Sequence, residues 1–365
     1  FADDLGISSL GSPGETPRDR REQFDPQLRQ KGQVEQLTNF FHDLVDNLDR
    51  VRYAHMEGDW SGPQAWHESM APYREEFREE MIGRVDQKLL PPNPRLRKVY
   101  DREHWIGYEV VLDIWPDVFA WGLLAVPKDV ETGEQRPTVI VQHGHGGTPS
   151  TAVRSDSYNH VLEKLTERGF VAFAPHAPYQ FNVRKATPLK ATVYSVIIPQ
   201  YRQIVNWLQT REHVDPDRIG FYGKSWGGRT ALRVPVFLDD LKFSISSAYM
   251  NQWPRKVFTE HYRTSYMYEG SIGVYEWNMG PTFSHAEMVM MMAPKPFLVE
   301  AGYNDAVAPS EWVGYEFAKV QRVYDLIGVG DHAVPGFHVG GHEVHADTIF
   351  PFIHKHLQWP VPATE

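Results

Sequence analysis

The amino-acid sequence predicts an α/β protein built on a mostly parallel, doubly wound sheet. From Trp105 onward, short β-branched or aromatic runs alternate with segments whose apolar residues recur every three or four positions. These are the periods of a strand and of a helix, and their repeated alternation is typical of a parallel sheet with helices on both faces. The chain has 365 residues, which exceeds one average domain and leaves room for additions to that sheet.

The composition excludes several classes of function. Lys and Arg total 37 and Asp and Glu total 47, so the formal net charge is −10. A duplex-binding surface normally needs an excess of positive charge, so this balance disfavours nucleic acid as the main partner. Cysteine is absent, so disulfides, thiolate metal sites and a cysteine nucleophile are excluded as well. No run of about 18 apolar residues occurs, and we therefore expect no membrane-spanning helix.

Residues 1–100 are predicted to form an N-terminal arm and a helical extension. Residues 1–21 are rich in Gly, Pro, Ser and charge, which is typical of a loose arm. A first helix is indicated by apolar residues on one face, namely Val34, Leu37, Phe41, Leu44 and Leu48. A second helix is expected to carry Tyr73, Phe77 and Met81, and three prolines within residues 91–94 end the segment.

Residues 101–365 are predicted to form the catalytic domain. Strands are expected over residues 108–114, 120–126, 138–141, 170–173, 219–222, 243–247, 297–299 and 337–339, the first two as a hairpin. Helices are expected around residues 158–165, 204–208, 310–327 and 350–357. Pro199 is placed in the first turn of the second of these helices, where proline is tolerated.

Residues 251–288 interrupt the alternation. This stretch mixes several Trp and Tyr residues with Gly and charge. Loops at the carboxyl edge of such a sheet carry binding groups, so we interpret the stretch as a lid-like insertion near the active site. Trp277 is its predicted substrate contact. Ordinary loop packing is the alternative.

The strongest chemical signal is the segment Gly223-Lys224-Ser225-Trp226-Gly227-Gly228. It follows a predicted strand and precedes a predicted helix. A nucleophilic serine at such a turn has a strained backbone, and the residues two before and two after it must be small because they approach neighbouring backbone. The context therefore predicts Ser225 as a nucleophile. The alternative is a glycine-rich turn with an idle serine.

A second glycine-rich segment, His143-Gly144-His145-Gly146-Gly147, follows the strand expected over residues 138–141. Acyl transfer creates an oxyanion that needs two hydrogen-bond donors. We expect these to be the backbone N–H groups of Trp226 and His145. A metal site at His143 and His145 is the alternative, although this spacing on a loop is not diagnostic.

A serine nucleophile works with a base and an acid, and the acid is expected after the strand over residues 297–299. Asp305 lies there and can accept a hydrogen bond from the Nδ1–H of a histidine. Glu300, inside the strand, is the weaker candidate, and a surface turn is the non-catalytic alternative for Asp305.

The general base is expected after the last strand. His342 follows two glycines that allow a sharp turn and is the favoured candidate, ahead of His345 and then His338. His342 and His345 do not have the spacing of a helical zinc motif, and a metal cluster of the three histidines is the alternative. The chain order Ser225, Asp305, His342 is the order expected of a strand–helix hydrolase sheet.

Further loop residues are predicted to line the substrate pocket. They are His143, Gly146, Tyr179, Arg184, Lys224 and Trp277. Lys224 and Arg229 would favour an anionic sugar, with solvated surface charge as the alternative.

These motifs resemble the α/β-hydrolase family over residues 105–357. Within it, the chain is similar to the bacterial dienelactone-hydrolase-like and acetyl xylan esterase-like group. The resemblance implies a serine esterase that acts on decorated polysaccharides, with a helical N-terminal extension. Dienelactone hydrolases use a cysteine nucleophile where this chain has Ser225, and glucuronoyl esterases carry an Arg where it has Trp226.

The sequence thus predicts a serine carboxylic-ester hydrolase that removes acetyl or similar groups from an oligosaccharide or polysaccharide and needs no cofactor. The alternatives are a prolyl-oligopeptidase-type serine peptidase, a uronate methyl-ester hydrolase and an inactive carbohydrate-binding protein with a hydrolase fold. The chain begins at Phe1 without Met. A processed signal peptide and a periplasmic or extracellular location are the expectation, and a cytoplasmic location is the alternative.

Overall fold

A nine-stranded sheet forms the centre of the part of the protein that the structure describes. The structure is a computed structural model, and it describes residues 6, 11–12, 14–178, 186–263, 265–267 and 276–362. The strands are β1 (Arg95–Asp101), β2 (Trp105–Trp115), β3 (Val118–Pro127), β4 (Arg136–Gln142), β5 (Val171–Pro175), β6 (Val214–Lys224), β7 (Leu241–Ser247), β8 (Phe297–Gly302) and β9 (Ala333–His338).

The spatial order of the strands is β1-β2-β3-β5-β4-β6-β7-β8-β9. The pairs from β5 through β9 are parallel, whereas β1, β2 and β3 join the sheet by antiparallel pairing. All five parallel pairs place the carboxyl ends of their strands at one edge, where the loops of such sheets carry functional residues. The predicted fold class, an α/β-hydrolase fold with a mostly parallel doubly wound sheet, is confirmed.

Helices follow most strands. The α-helices are α1 (Pro26–Asp46), α2 (Leu48–His55), α3 (Pro63–Ser69), α4 (Ala71–Glu76), α5 (Thr151–Arg154), α6 (Val161–Glu167), α7 (Tyr194–Leu208), α8 (Trp226–Ala231), α9 (Trp253–Phe258), α10 (His285–Met292), α11 (Ser310–Leu326) and α12 (Ala346–Leu357). A π-helix, Phe77–Ile82, continues α4.

The sheet separates two hydrophobic cores because successive side chains of a strand point to opposite faces. In β4, Val139 and Val141 belong to one core and Ile140 to the other. All three are fully buried. Strands buried on both faces read as continuous apolar runs, which is why this strand was recognisable in the sequence.

The chain divides into two compact units, Phe1–Leu44 and Val45–Glu365. Residues 45–100 therefore pack within the larger unit, and the boundary expected near residue 100 is not where packing divides the chain. Phe77 and Met81, predicted on one helix face, are buried in the larger core. In the smaller unit, the apolar side chains predicted on the face of the first helix are exposed.

Three local expectations differ from the structure. Helix α7 begins at Tyr194, so Pro199 lies inside the helix and not in its first turn. Strand β1 was not predicted because its basic side chains are exposed at the edge of the sheet and give no apolar alternation. Helix α10 begins inside the stretch assigned to the lid-like insertion, and its eight residues are all buried.

Candidate active site

Ser225 occupies a sharp turn between β6 and α8. Its backbone angles are φ 57° and ψ −117°, a region that a residue with a side chain rarely adopts. The backbone holds this conformation through two hydrogen bonds. The Ser225 N–H donates to the carbonyl of Ser247 at 2.8 Å, and the Arg229 N–H donates to the carbonyl of Ser225 at 2.9 Å.

The glycines that flank the serine are required by close backbone approach. A Cβ on Gly223 would lie 2.0 Å from the carbonyl oxygen of Gly227, and a Cβ on Gly227 would lie 2.2 Å from that of Gln142. Neither carbonyl belongs to a flexible side chain, so any larger residue would displace the turn. This geometry agrees with the expectation that the residues two before and two after Ser225 must be small.

The second glycine-rich loop passes directly beside the serine. A Cβ on Gly144 would lie 3.0 Å from the Cβ of Ser225. The loop turns through a hydrogen bond from Gly147 N–H to Gly144 O at 3.1 Å. His145, on this turn, is exposed, and its ring centroid lies 6.4 Å from that of Trp226. The two predicted oxyanion donors therefore belong to neighbouring segments.

His143 supports this loop from inside the protein. Its ring is buried, its Nδ1 lies 2.8 Å from Gly144 O, and its Nε2 accepts the N–H of Ala177 at 3.3 Å. Burial lowers the pKa of His143 to about 4, so the ring is neutral at pH 7. A substrate contact was expected for His143, but its side chain faces the core and ties the glycine loop to the segment after β5. Gly146, by contrast, is exposed with φ 74°.

Asp305 and His342 are joined by a hydrogen bond. The Nδ1 of His342 lies 2.9 Å from Oδ2 and 3.0 Å from Oδ1 of Asp305. The Asp305 side chain is fully buried, whereas that of His342 is 31% exposed. A second donor, the N–H of Val307 at 2.7 Å, fixes the carboxylate. The carboxylate thus contacts one nitrogen of the histidine ring, Nδ1, which is the contact that an acid makes with the base in a catalytic triad.

Backbone hydrogen bonds tie together the two loops that carry this pair. The N–H of Tyr303 donates to His338 O at 3.0 Å, and the N–H of Asn304 donates to Gly340 O at 2.9 Å. Both donors precede Asp305 and both acceptors precede His342. These hydrogen bonds therefore hold the loop after β8 against the loop after β9.

The rival candidates for acid and base occupy a different network. Glu300 is fully buried, accepts the O–H of Ser247 and accepts the N–H of His345 at 2.8 Å. Burial raises the pKa of Glu300 to about 7, although these hydrogen bonds favour its ionised form. The His345 ring stacks on His338 with centroids 4.7 Å apart. The structure thus pairs Asp305 with His342 and pairs Glu300 with the backbone of His345.

The remaining predicted contacts differ in exposure. Lys224 is buried, with its ammonium group 4.6 Å from the ring centroid of Tyr158. Burial lowers the pKa of Lys224, and its head group is not at the protein surface. Trp277 is 77% exposed. Tyr179 and Arg184 lie outside the described residues.

One feature near the site was missed by sequence reasoning. Glu276 accepts hydrogen bonds from Arg229 at 2.8 Å and from Arg233 Nε at 2.9 Å, and all three side chains are buried. Burial alone would raise the pKa of Glu276, but the two guanidinium groups hold it at about 2. The i, i+4 arginines were visible in the sequence, but their distant carboxylate was not. Arg229, considered as solvated charge or as a sugar contact, is instead an anchor for Glu276.

Neither a metal-binding group nor a membrane-spanning helix is found among the residues that the structure describes. No set of three or more His, Asp or Glu side chains there is grouped so as to hold a metal ion. Among the helices described, none has the length and apolar character needed to cross a membrane.

The comparisons with known proteins agree with this architecture. Residues 121–249 match the model of the dienelactone hydrolase family. The YtaP protein of Bacillus subtilis (strain 168), whose name describes a hydrolase, is 25% identical over 252 residues, which are 64% of this chain and 81% of that protein.

Solved structures give the same fold. A glucuronoyl esterase from Solibacter usitatus superimposes with a TM-score of 0.63 at 15% identity, over 82% of this chain and 94% of that one. An acetyl xylan esterase from Paenibacillus sp. R4 superimposes with a TM-score of 0.54 at 15% identity, over 84% and 99%. The chain therefore has an α/β-hydrolase fold in which residues 121–249 match the dienelactone hydrolase family model, and it is an enzyme of the carboxylic ester hydrolase class.

Proposed function

We propose that this protein is a serine esterase that removes acetyl or similar acyl groups from an oligosaccharide or polysaccharide through an acyl-enzyme. The observation that carries the proposal is the backbone of Ser225, whose φ of 57° at the end of β6 is the strained turn of a nucleophile elbow. The hydrogen-bonded pair of His342 and Asp305 on the loops after β9 and β8 supports it.

In the first step, His342 Nε2 takes the proton of the Ser225 hydroxyl as its oxygen attacks the ester carbonyl carbon. Asp305 accepts the Nδ1–H of His342, holds the required tautomer and stabilises the imidazolium that forms. The backbone N–H groups of Trp226 and His145 stabilise the negative charge on the carbonyl oxygen. Their placement is supported by the close approach of Gly144 to Ser225.

The tetrahedral intermediate then collapses. The bond to the leaving oxygen breaks, and the proton on His342 passes to that oxygen, so that an alcohol departs. Water next attacks the acyl-enzyme with His342 as general base. Collapse of the second intermediate releases the acid and returns the proton to Ser225. Apart from the ester and the water, the groups that take part are side chains and backbone groups of this chain.

A carbohydrate ester is favoured over a peptide as substrate. The neighbouring solved structures include an acetyl xylan esterase and a glucuronoyl esterase. The prolyl-oligopeptidase-type alternative has the same chain order of Ser, Asp and His, and an aminoacyl substrate tested beside ester substrates distinguishes the two.

The test is hydrolysis of p-nitrophenyl acetate by matched variants. Ser225→Ala and His342→Ala should each lower kcat by orders of magnitude, up to roughly 10⁶-fold as in other serine triads. His345→Ala is the control, because the His345 ring stacks on His338, whereas the hydrogen bond to Asp305 comes from His342, and it should retain most of the activity. Unchanged turnover in Ser225→Ala would overturn the proposal.

The acyl group is then identified with acetyl, feruloyl and methyl-uronate esters of sugars, using Ser225→Ala as the blank. A fluorophosphonate probe should label the wild type and fail to label Ser225→Ala, because only an activated serine reacts. An aminoacyl substrate cleaved faster than every ester would favour the peptidase instead.

A further inference from the structure

A cavity of about 670 Å³ has on its wall Glu276, which contacts Arg229 in the helix that follows Ser225. Three chain segments bound the cavity. They are residues 80–83 at the end of the π-helix, residues 187–192 before α7, and residues 276–278 within the stretch assigned to the insertion. Its volume falls within the range of about 300–1,000 Å³ that small-molecule sites occupy. None of these residues takes part in the acyl transfer described above.

Two short chains of contacts connect the cavity to the nucleophile. Glu276, on its wall, accepts a hydrogen bond from Arg229 at 2.8 Å, and the backbone N–H of Arg229 donates to Ser225 O at 2.9 Å. On the other side, Tyr194 stacks on Trp226 with ring centroids 6.3 Å apart and an interplanar angle of 13°. The wall at Glu276 is therefore linked to the turn that carries Ser225 through Arg229, and the segment before α7 is linked to the same turn through Tyr194.

The wall formed by residues 80–83 is held to the segment before α7. Thr192 and Ser195 both donate to the carbonyl of Ile82, at 2.8 and 2.9 Å. Gly83 has φ 81°, and a Cβ on it would lie 2.1 Å from the carbonyl oxygen of Lys190. This junction leaves no room for a side chain at position 83, and it holds these two segments of the wall against each other.

The opposite wall is held by buried charge. The carboxylate of Glu276 is clamped between Arg229 and Arg233, and Trp277 follows it directly in the chain. Because Glu276 is fixed, the backbone of Trp277 is positioned, while Trp277 itself stays 77% exposed. An exposed aromatic ring on the wall of a cavity can contact a ligand that binds there.

The lining suits a neutral, polyhydroxylated ligand. Its charged groups among the described residues are Glu80, Lys190 and Glu276. The first two form an ion pair at 2.9 Å, and Glu276 is bonded to the arginines behind it. Uncharged hydrogen-bonding side chains complete the wall, namely Thr187, Thr192 and Asn278. An indole face stacks on the C–H groups of a pyranose ring, while hydroxyl and amide groups bind the sugar hydroxyls.

We propose that this cavity is a glycan subsite that binds a neutral pyranose unit next to the ester-bearing unit of an oligosaccharide. It rests on the proposed ester-hydrolase function and extends it. The π-helix end at residues 80–83 thereby becomes part of the substrate site, and the enzyme prefers oligosaccharide esters to esters of simple alcohols.

Binding is tested without turnover in the Ser225→Ala background. Isothermal titration calorimetry with xylotetraose should give a Kd that rises about tenfold when Trp277 is replaced by alanine, the size expected for loss of one aromatic contact. Trp60→Ala is the matched control, because Trp60 is also exposed, at 46%, but does not line this cavity. Equal Kd values with and without Trp277, or no binding of xylotetraose to Ser225→Ala, would overturn the subsite.

Turnover separates failure of the subsite from failure of the proposed function. The ratio of kcat/KM for acetylated xylotetraose to kcat/KM for p-nitrophenyl acetate should fall about tenfold in Trp277→Ala and stay constant in Trp60→Ala. If ester hydrolysis depends on Ser225 but the ratio of the two kcat/KM values is the same in Trp277→Ala as in the wild type, only the subsite is refuted. Trp277-dependent binding of xylotetraose in a protein that hydrolyses no ester refutes the esterase and leaves the sugar-binding cavity standing.

Discussion

Gly302 and Gly341 approach each other so closely that a Cβ on Gly302 would lie 2.3 Å from the carbonyl oxygen of Gly341. Gly302 ends β8 three residues before Asp305, and Gly341 immediately precedes His342. The closeness of these two backbones lets the loops of the acid and the base meet. It explains why two residues on different strands share a hydrogen bond.

Replacement of Gly302 by alanine should separate these loops. The added Cβ meets backbone, which cannot swing aside, so Asp305 and His342 must move apart. We expect kcat for p-nitrophenyl acetate to fall about 10²-fold, the loss associated with a displacement of about 1 Å at a catalytic group. Gly341→Ala is the control, since a Cβ there meets nothing within 4 Å. Equal activity of the two variants would contradict the role given to this contact.

Asp305→Asn should lower kcat strongly, whereas Glu300→Gln should leave it nearly unchanged. An amide at position 305 can donate a hydrogen bond to His342 and favour the wrong tautomer, and the analogous change in a serine triad lowers kcat about 10⁴-fold. Glu300 contacts Ser247 and the backbone of His345, not His342, so Glu300→Gln should retain most of the wild-type kcat. Steady-state kinetics of both variants decide the point. The reverse order of effects would identify Glu300 as the acid.

Glu300 should make the free energy of unfolding depend on pH. Its pKa is raised by burial from the ordinary 4.5 to about 7. Between these values the folded protein binds more protons than the unfolded chain, so stability falls as pH rises through this window and then levels. The whole change should be about 3 kcal/mol.

Urea unfolding of the wild type and of Glu300→Gln, at intervals from pH 5 to pH 8, measures this effect. The variant has no carboxyl group to titrate at this position, so its stability should decline less across the window. Parallel curves for the two proteins would show that Glu300 is not the group responsible.

Glu276→Gln should destabilise the protein. The substitution leaves Arg229 and Arg233 buried without an anionic partner, and breaking one side of a buried ion pair costs about 3–5 kcal/mol. The midpoint of urea unfolding measures the loss. Asp331→Asn is the control, because its ion pair with Lys355 is largely exposed and surface pairs contribute little. If Glu276→Gln left the midpoint of urea unfolding unchanged, the ion pairs of Glu276 with Arg229 and Arg233 would not stabilise the fold.

Much of the architecture could be predicted because its signals are local. The fully buried strand β4 reads as a continuous apolar run, and the elbow at Ser225 is a strand, a tight glycine-flanked turn and a helix within a few residues. Gly223 and Gly227 are only four positions apart, so the need for small residues around Ser225 is visible directly in the sequence. The fold class and the resemblance to esterases of this group were confirmed for this reason.

The sheet, the elbow and a short set of candidate acids and bases could be predicted from residue types and their spacing. Which of these candidates meet depends on backbone contacts between distant loops, such as those at Gly302 and Gly341, and only the folded chain shows these contacts. The folded chain likewise shows that His143 and Lys224 are buried and that Glu276 neutralises Arg229. Burial and pairing are properties of segments far apart in the chain, and periodicity within one segment carries no information about them.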